Sequence, residues 1–394
     1  MRIVDEVHNE IIIEDRDLQD LVHTYAFRRL KGLKQQGNTF YLLPGAVHTR
    51  YSHSLGVYAN AVKIADRLEA SGTILLSHYE RKLIQLTALL HDIGHGPYSH
   101  CFEAITGINH KEWTAKIIIE DDEIGEILNR TPGIKEDVIH VLGKKGRFPI
   151  LENIFFSPLG ADSLDYLERD LLHSGLEIVP FDANIIIQNL EWRDNTFTVN
   201  YDACQEIERL LIVKNQLHEF GFGHPFTIGK DLLLKLVFKR ASFLYQNGCL
   251  HNVPQPVIPV LKGSCMLQVS EVLELSDRTI YETVCEWAKE KDAALSALSL
   301  TYISPNLNLN WTEVDRKTYE LLNQQLKHSD FSFESELFAP NPKYAFYTGG
   351  IRISMNERIF DVTQLSARIR EQAESPDKFY LYFANENPLL YLQM

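Results

Sequence analysis

Apolar positions recur along this chain first at strand-like and then mostly at helical spacing. Ile3 to Glu14 alternates weakly around Asn9 and predicts a short hairpin or edge structure. From Asp17 onward Leu18, Leu21, Tyr25, Leu30 and Leu33 fall at near-helical steps, with Arg28, Arg29, Lys31 and Lys34 between them. Gly37 and Pro44 bracket a loop that carries Phe40 to Leu43. Leu55, Tyr58, Val62, Ala65 and Leu68 then recur at steps of three and four, which predicts a helix from about Arg50 that stops at Gly72. A second helix is expected from about Ser77 to Ile93, with Leu83, Leu86 and Leu90 turned inward and Gly94 as a left-handed terminator. A third is expected to start at Pro97, since proline favours the first helical position.

The helix expected over Pro158 to Ser174, capped by Ser157 and stopped by Gly175, is two-faced. Leu164, Leu167 and Leu171 form an apolar stripe, and Asp162, Tyr166 and Asp170 stack at i, i+4 and i+8 on the other side. Such a stack lines either a polar cleft or a solvated face. Asp165 and Arg169, at i and i+4, read as a structural ion pair worth roughly a few tenths of a kcal/mol. Trp192 to Phe197 predicts a hairpin around Asp194-Asn195, and long helices are expected at Ala203 to Leu217 and Lys230 to Tyr245. The three-proline run Asn252 to Val260 marks a loop or boundary, and helix returns at Arg278 to Leu298. The last 60 residues turn strand-like at Tyr344 to Thr348 and Phe379 to Phe383, around a helix near Gln364 to Glu374. The expected fold class is mainly α: a helical core over 1–250 and a small C-terminal α+β portion over 251–394.

Composition narrows the function. With 394 residues, 45% hydrophobic and 23% charged, the chain is neither disordered nor fibrous. No run approaches the roughly 18 apolar residues of a membrane span, and Met1 to Glu6 gains acids where a signal peptide needs apolar residues. A cytoplasmic location without a membrane partner is therefore expected. The formal charge of −14 argues against extensive nucleic-acid binding. Five scattered cysteines without a CxxC exclude a disulfide framework or zinc knuckle. Histidine is the informative residue: seven of the fifteen lie between positions 48 and 110.

Within that window His91-Asp92 is followed by Gly94-His95-Gly96-Pro97 and then by His100 and Glu103. Neighbouring helical residues point about 100° apart, so this His and Asp can address one ion only if it sits beyond the helix end. Two histidines with two aspartates suit manganese, iron, zinc or cobalt better than calcium, and leave positions for water and substrate. His100 and Glu103 share a helix face at i and i+3, where the carboxylate can orient the imidazole as a general acid/base pair.

Three segments carry a family likeness: His48-Thr49-Arg50-Tyr51-Ser52-His53-Ser54-Leu55-Gly56-Val57, His91 through His100, and Asp162-Ser163-Leu164-Asp165-Tyr166-Leu167-Glu168-Arg169-Asp170. Phe27 through Gln35 and Leu43-Pro44-Gly45-Ala46 are similar too. Together they resemble the HD-domain phosphohydrolases and, among these, the deoxynucleoside triphosphate triphosphohydrolases. The resemblance covers about residues 1 to 180 closely and implies an HD-domain helical core. It implies His53, His91, Asp92 and Asp162 as ligands of one divalent ion (manganese, iron, zinc, cobalt or nickel, with magnesium admitted). His95, His100, Glu103 and His110 would surround the scissile phosphate. Arg50 would hold phosphate, Gln35 and Asp170 would bind the sugar 3′-hydroxyl, and Tyr166 would exclude a 2′-hydroxyl. A nucleotide substrate and a homo-oligomer are expected on the same ground.

The chain also departs from that pattern. Ser163 stands where relatives often carry Lys, and Lys214, Phe222 and Pro225 interrupt a basic, tyrosine-bearing run. His23 and Arg28 replace the Asp and Gln by which effector-regulated members recognise guanine. Two alternatives stay open: an HD phosphohydrolase for another phosphoester, such as a nucleoside monophosphate or cyclic nucleotide, and a non-catalytic nucleotide-sensing protein.

Overall fold

Asn9 takes a positive φ of 62° and turns the chain back on itself between β1 (Arg2–Asp5) and β2 (Asn9–Ile12), the hairpin expected there. The computed structural model describes residues 1–263, 267–305, 310–318, 320–321, 347, 349–373 and 379–383. Beyond the hairpin, helices dominate: α1 (Arg16–His23), α2 (Tyr25–Arg29), α3 (Arg50–Ala70), α4 (His78–Leu90), α5 (His100–Thr106), α6 (His110–Glu120), α7 (Asp122–Asn129), α8 (Ile134–Leu142), α9 (Pro149–Phe156), α10 (Ala161–Ser174) and α11 (Ala183–Gln188). A second hairpin, β3 (Leu190–Arg193) and β4 (Thr196–Asn200), turns at Asp194 and Asn195, both with positive φ, as the Asp-Asn pair predicts. Then come α12 (Cys204–Leu217), α13 (Pro225–Gln246), α14 (Ile258–Lys262), α15 (Val269–Leu273), α16 (Asp277–Trp287) and α17 (Ala293–Ile303). The C-terminal part adds β5 (Asn310–Val314), β6 (Arg352–Met355), β7 (Arg358–Asp361), α18 (Val362–Leu365), α19 (Ala367–Ala373) and β8 (Phe379–Phe383). The fold is mainly α.

Helix α3 is the central element and packs against α4 on one side and α10 on the other. Of the apolar positions at helical spacing it buries Leu55, Tyr58, Ala65 and Leu68, with Val62 half-buried and Val57, Ala61 and Ile64 buried beside them, and its start is fixed by a capping box of Thr49 with Ser52. The Ser77-to-Glu80 spacing forms the same device at the head of α4. The small sheets are peripheral to this stack. β6 pairs in parallel with β4 (Val199 opposite Ile353) and antiparallel with β7, while β8 pairs with β5. No helix among the described residues is long and apolar enough to cross a membrane.

Several boundaries differ from expectation for identifiable reasons. α4 ends at Leu90, and Gly94 is not left-handed. Its glycine is required by close approach, because a Cβ there would lie 2.2 Å from both the His110 carbonyl oxygen and the Thr114 amide nitrogen of α6. α5 starts at His100 rather than Pro97: Tyr98 and Ser99 adopt φ of 55° and 54°, and the Tyr98 amide donates to the Asp277 carboxylate at 2.9 Å. That acceptor is too remote in sequence to be anticipated. α10 begins at Ala161 with Gly160 at its N-cap, whereas Ser157 ends α9; Gly175, at φ 69°, does stop α10. α13 starts five residues early, at Pro225, and the helix expected over Arg278 to Leu298 is split into α16 and α17 around the buried Glu290. The three-proline run holds a single 3-10 turn, Gln255–Val257, leading into α14. The strand expected at Tyr344 to Thr348 lies outside the described residues, Tyr347 apart, and Phe379–Phe383 is a strand as expected.

Gly94→Ala is therefore expected to lower stability by about 1–3 kcal/mol, the usual cost of overpacking a filled contact. Urea unfolding of the variant against the parent measures this; an unchanged midpoint would refute the close-packing explanation.

Candidate active site

His53 lies one turn into α3, His91 and Asp92 lie in the turn that ends α4, and Asp162 lies in the first turn of α10. The packing of α3 against α4 and α10 gathers His53, His91 and Asp92 into one close group, which Asp162 joins through His53. His53 Nε2 is 3.3 Å from His91 Nε2, 3.3 Å from Asp162 Oδ1 and 3.8 Å from Asp92 Oδ2. His91 Nε2 is 3.5 Å from Asp92 Oδ1. The other nitrogen of each ring already faces an acceptor: His53 Nδ1 meets Asp165 Oδ2 at 2.8 Å, and His91 Nδ1 meets the Ala88 carbonyl at 2.8 Å. In the neutral rings Nδ1 thus carries the hydrogen, and two Nε2 lone pairs point at each other and at two carboxylates.

Such an arrangement repels itself unless a cation sits among the four atoms. Burial opposes a charge on His53, yet the Asp162 and Asp165 carboxylates outweigh it and push its pKa up to about 10. Without a metal, a proton takes the cation's place. Ligands about 2.1 Å from one ion stand about 3.0 Å apart in adjacent positions, close to the separations present. The donor set fits a divalent metal ion.

The support for His53 is a buried network. Asp165 also accepts from His8 Nε2 at 2.8 Å and from Arg169 through Nε at 2.9 Å and Nη2 at 2.8 Å, and Arg169 reaches on to Asp5 at 3.0 Å. Asp165 and Arg169 are fully buried. They form the expected ion pair, but not the weak surface pair that i, i+4 spacing suggested: the same carboxylate holds His53 in its tautomer. Gly56 makes room for it, since a Cβ there would fall 1.7 Å from Asp165 Oδ1.

The cluster opens into a cavity of about 910 Å3. His95, His100 and His110 line it, and His95 Nε2 is 3.4 Å from Asp92 Oδ1. Burial and the Arg50 charge hold the His95 pKa well below the usual imidazole range, and its ring stacks on His110 at 3.9 Å. Glu103 Oε1 accepts from His100 Nδ1 at 2.9 Å and from His110 Nδ1 at 2.6 Å. Burial works against the Glu103 charge, but these two hydrogen bonds prevail and keep its carboxyl well below the usual range.

Gln35, Arg50, Tyr166 and Asp170 line the same cavity. Gln35 Oε1 is buried without a hydrogen-bond partner. Arg50 is not free: it donates to Asp92 and, through Nη2, to Ser99 Oγ at 2.7 Å. Asp170 accepts from His48 Nε2 at 2.6 Å. Thus ten of the twelve residues singled out in the sequence line this cavity, and the other two sit behind its wall: His53 against His91, and Glu103 behind His100 and His110.

A family model described as HD domain matches residues 50–167. An uncharacterized protein, YwfO of Bacillus subtilis, is 30% identical over 305 residues, covering 77% of this chain and 70% of that protein. The deoxynucleoside triphosphate triphosphohydrolase SAMHD1 of Gallus gallus is 32% identical over 288 residues, 61% of this chain and 45% of that protein. This chain belongs to the HD-domain phosphohydrolases. A crystal structure of a phosphohydrolase from Bacteroides thetaiotaomicron superposes with a TM-score of 0.84 at 23% identity, covering 98% of this chain and 100% of that one, a likeness of fold. The HD phosphohydrolase here spans about half the length of the triphosphohydrolase it matches in Gallus gallus.

Two features of this HD phosphohydrolase escaped the sequence reading. Asp165 was legible in principle, because a ligating histidine needs an acceptor for its second nitrogen. Asp231, on α13, gives no local signal; it lines the cavity, accepts from Asn38 Nδ2 at 2.7 Å, and burial pushes its pKa up to about 6.

Metal analysis of Asp92→Ala should show lost occupancy with the helical far-UV signal retained, and Asp165→Asn should weaken metal affinity by about 10–100-fold. Full occupancy in the first variant would overturn the ligand assignment. Asp231 gives a pH prediction. Its folded pKa is raised, so its contribution is present below the unfolded value of about 3.9 and is lost as pH rises through about 6. Asp231→Asn should accordingly melt higher than the parent at pH 8, with the gap closing below pH of about 4; an equal gap at both values would contradict this.

Proposed function

We propose that this phosphohydrolase cleaves deoxynucleoside triphosphates to a deoxynucleoside and triphosphate, by attack of water on the α-phosphorus. The observation that carries the reading is one cavity in which the His/Asp cluster faces the His100–Glu103–His110 set, with Gln35, Tyr166 and Asp170 on the adjoining wall. Relatives that bear the name deoxynucleoside triphosphate triphosphohydrolase include the one in Gallus gallus and a homologue in Dictyostelium discoideum that is 30% identical over 58% of this chain.

His53, His91, Asp92 and Asp162 would hold one divalent ion, which when bound supplies a Lewis acid at the phosphoryl group and activates water near neutral pH. The remaining chemistry belongs to the chain. Glu103 fixes the Nδ1 hydrogens of His100 and His110, which leaves Nε2 of each ring as the atom that exchanges a proton. His100 Nε2 protonates the departing 5′-oxygen, and Glu103 steadies the imidazolium before that step. Arg50 holds Asp92 in place while adding positive charge beside the reacting phosphate. His95, kept neutral, adds no charge to repel Arg50.

On the sugar side, Tyr166 follows Asp162 by one turn of α10, which sets its ring about 6 Å along the helix from that ligand. A ring packed there denies room to a 2′-hydroxyl. Gln35 Oε1, buried and unpartnered, is an acceptor ready for the 3′-hydroxyl, and Asp170, positioned by His48, is a second. A site that satisfies one hydroxyl and blocks the other discriminates through unpaired buried groups as well as sterics.

Incubation with added manganese and each nucleotide, with products identified, tests the whole reading. Triphosphate is expected from dNTPs and little from NTPs; monophosphate or orthophosphate instead would redirect it to another phosphoester. His100→Ala or Glu103→Ala should lower turnover by about 100-fold or more with metal still bound, and Tyr166→Ala should narrow the gap between dGTP and GTP.

A further inference from the structure

The cavity has a charged wall that the family pattern does not supply. Ser163 contributes no cation where relatives often carry Lys, and neither Lys214 nor Pro225 lines the cavity. On the other flank Lys111, the second residue of α6, and Lys144 and Lys145, directly after α8, do line it, together with the carboxylate of Glu112. None of these three ammonium groups has a carboxylate within ion-pairing distance among the described residues, whereas Lys82, Arg81 and Arg130 are each paired. In a chain of net charge −14, three unpaired cations sharing one cavity wall are a local concentration of positive charge lacking its anion.

The backbone holds them there at some cost. Lys144 takes φ of 51°, a left-handed conformation unfavourable for a side chain of this size, and its Nζ lies 4.3 Å from the centre of the Phe156 ring, itself a cavity residue. Burial lowers the Lys144 pKa and the charge of Lys111 lowers it further, while Asp162 raises it. Lys144 and Lys111 therefore feel each other, and Lys144 stands near Asp162 of the His/Asp cluster.

We propose that Lys111, Lys144 and Lys145 form the polyphosphate subsite of this cavity, holding the phosphates beyond the one placed at the His/Asp cluster. This rests on the reading that the substrate is a nucleoside triphosphate. Phosphate oxygens extending from the cluster toward α6 and the end of α8 meet ammonium groups that act as point charges without demanding a fixed fork geometry. The polyphosphate tail runs along the α6–α8 wall, and its grip is built from elements different from those the family pattern uses.

The test is titration calorimetry of the full-length, metal-loaded protein with inorganic triphosphate and with orthophosphate, with metal content measured before and after because triphosphate chelates divalent ions. The triple variant Lys111→Gln, Lys144→Gln, Lys145→Gln should bind triphosphate at least tenfold more weakly than the parent, with a shallower salt dependence, an unchanged melting temperature and little change toward orthophosphate. In turnover its KM for dNTP should rise with kcat nearly kept. A variant that binds triphosphate as tightly as the parent, or a parent that does not bind it, overturns the subsite. If the parent cleaves no dNTP while the variant still loses triphosphate, the subsite stands and the substrate reading falls. If dNTPs are cleaved and triphosphate binding is untouched, the reverse holds.

Discussion

Everything near the centre of this protein answers to one electrostatic demand: the donor groups of His53, His91, Asp92 and Asp162 crowd one place and call for positive charge among them. Carboxylates and imidazole lone pairs at 3.3–3.8 Å are tolerable only around positive charge. The fold meets that demand twice. Outside the cluster, Arg169 neutralises Asp165 and Asp5, and Arg50 neutralises Asp92; inside it, the place is left for a cation. The helix packing that looks like ordinary core building is what sets the spacing of these charges.

The local signals in the chain were legible where the deciding interaction is local. Ser77 and Gly175 delimit helices through hydrogen bonds or a left-handed turn within a few residues, and Asp194-Asn195 makes its hairpin. The candidate site was legible because its residues come in short runs around His53, His91 and Asp162. What stayed hidden depends on partners far along the chain. The start of α5 is decided by Asp277, 179 positions from Tyr98, and the glycine at position 94 answers to the backbone of α6 rather than to its own turn. Asp165 illustrates the middle case: its spacing from Arg169 was visible, but its burial against His53 was not, and burial is what turns a marginal ion pair into a support for a ligand.

The cavity also shows how a family pattern can hold while its periphery shifts. At the centre, His53, His91 and Asp92 stand 3.3–3.8 Å apart, so moving any one of them changes the whole group. The walls that meet the rest of a substrate are set by side chains at the ends of α6, α8 and α13, where one residue can replace another without disturbing the centre.

Asp277 gives the protein a timetable. Its carboxylate accepts the Lys34 amide at 2.9 Å and the Tyr98 amide at 2.9 Å, while Arg29 spans from the Leu275 carbonyl at 3.2 Å to the His95 carbonyl at 2.8 Å. During synthesis all four cluster residues leave the ribosome more than a hundred residues before the groups that brace their turn. The nascent chain can thus gather its donors early, but the turn carrying His95 and leading into His100 is locked only when α16 arrives. The brace on that turn is thus the last of these contacts that the growing chain can supply.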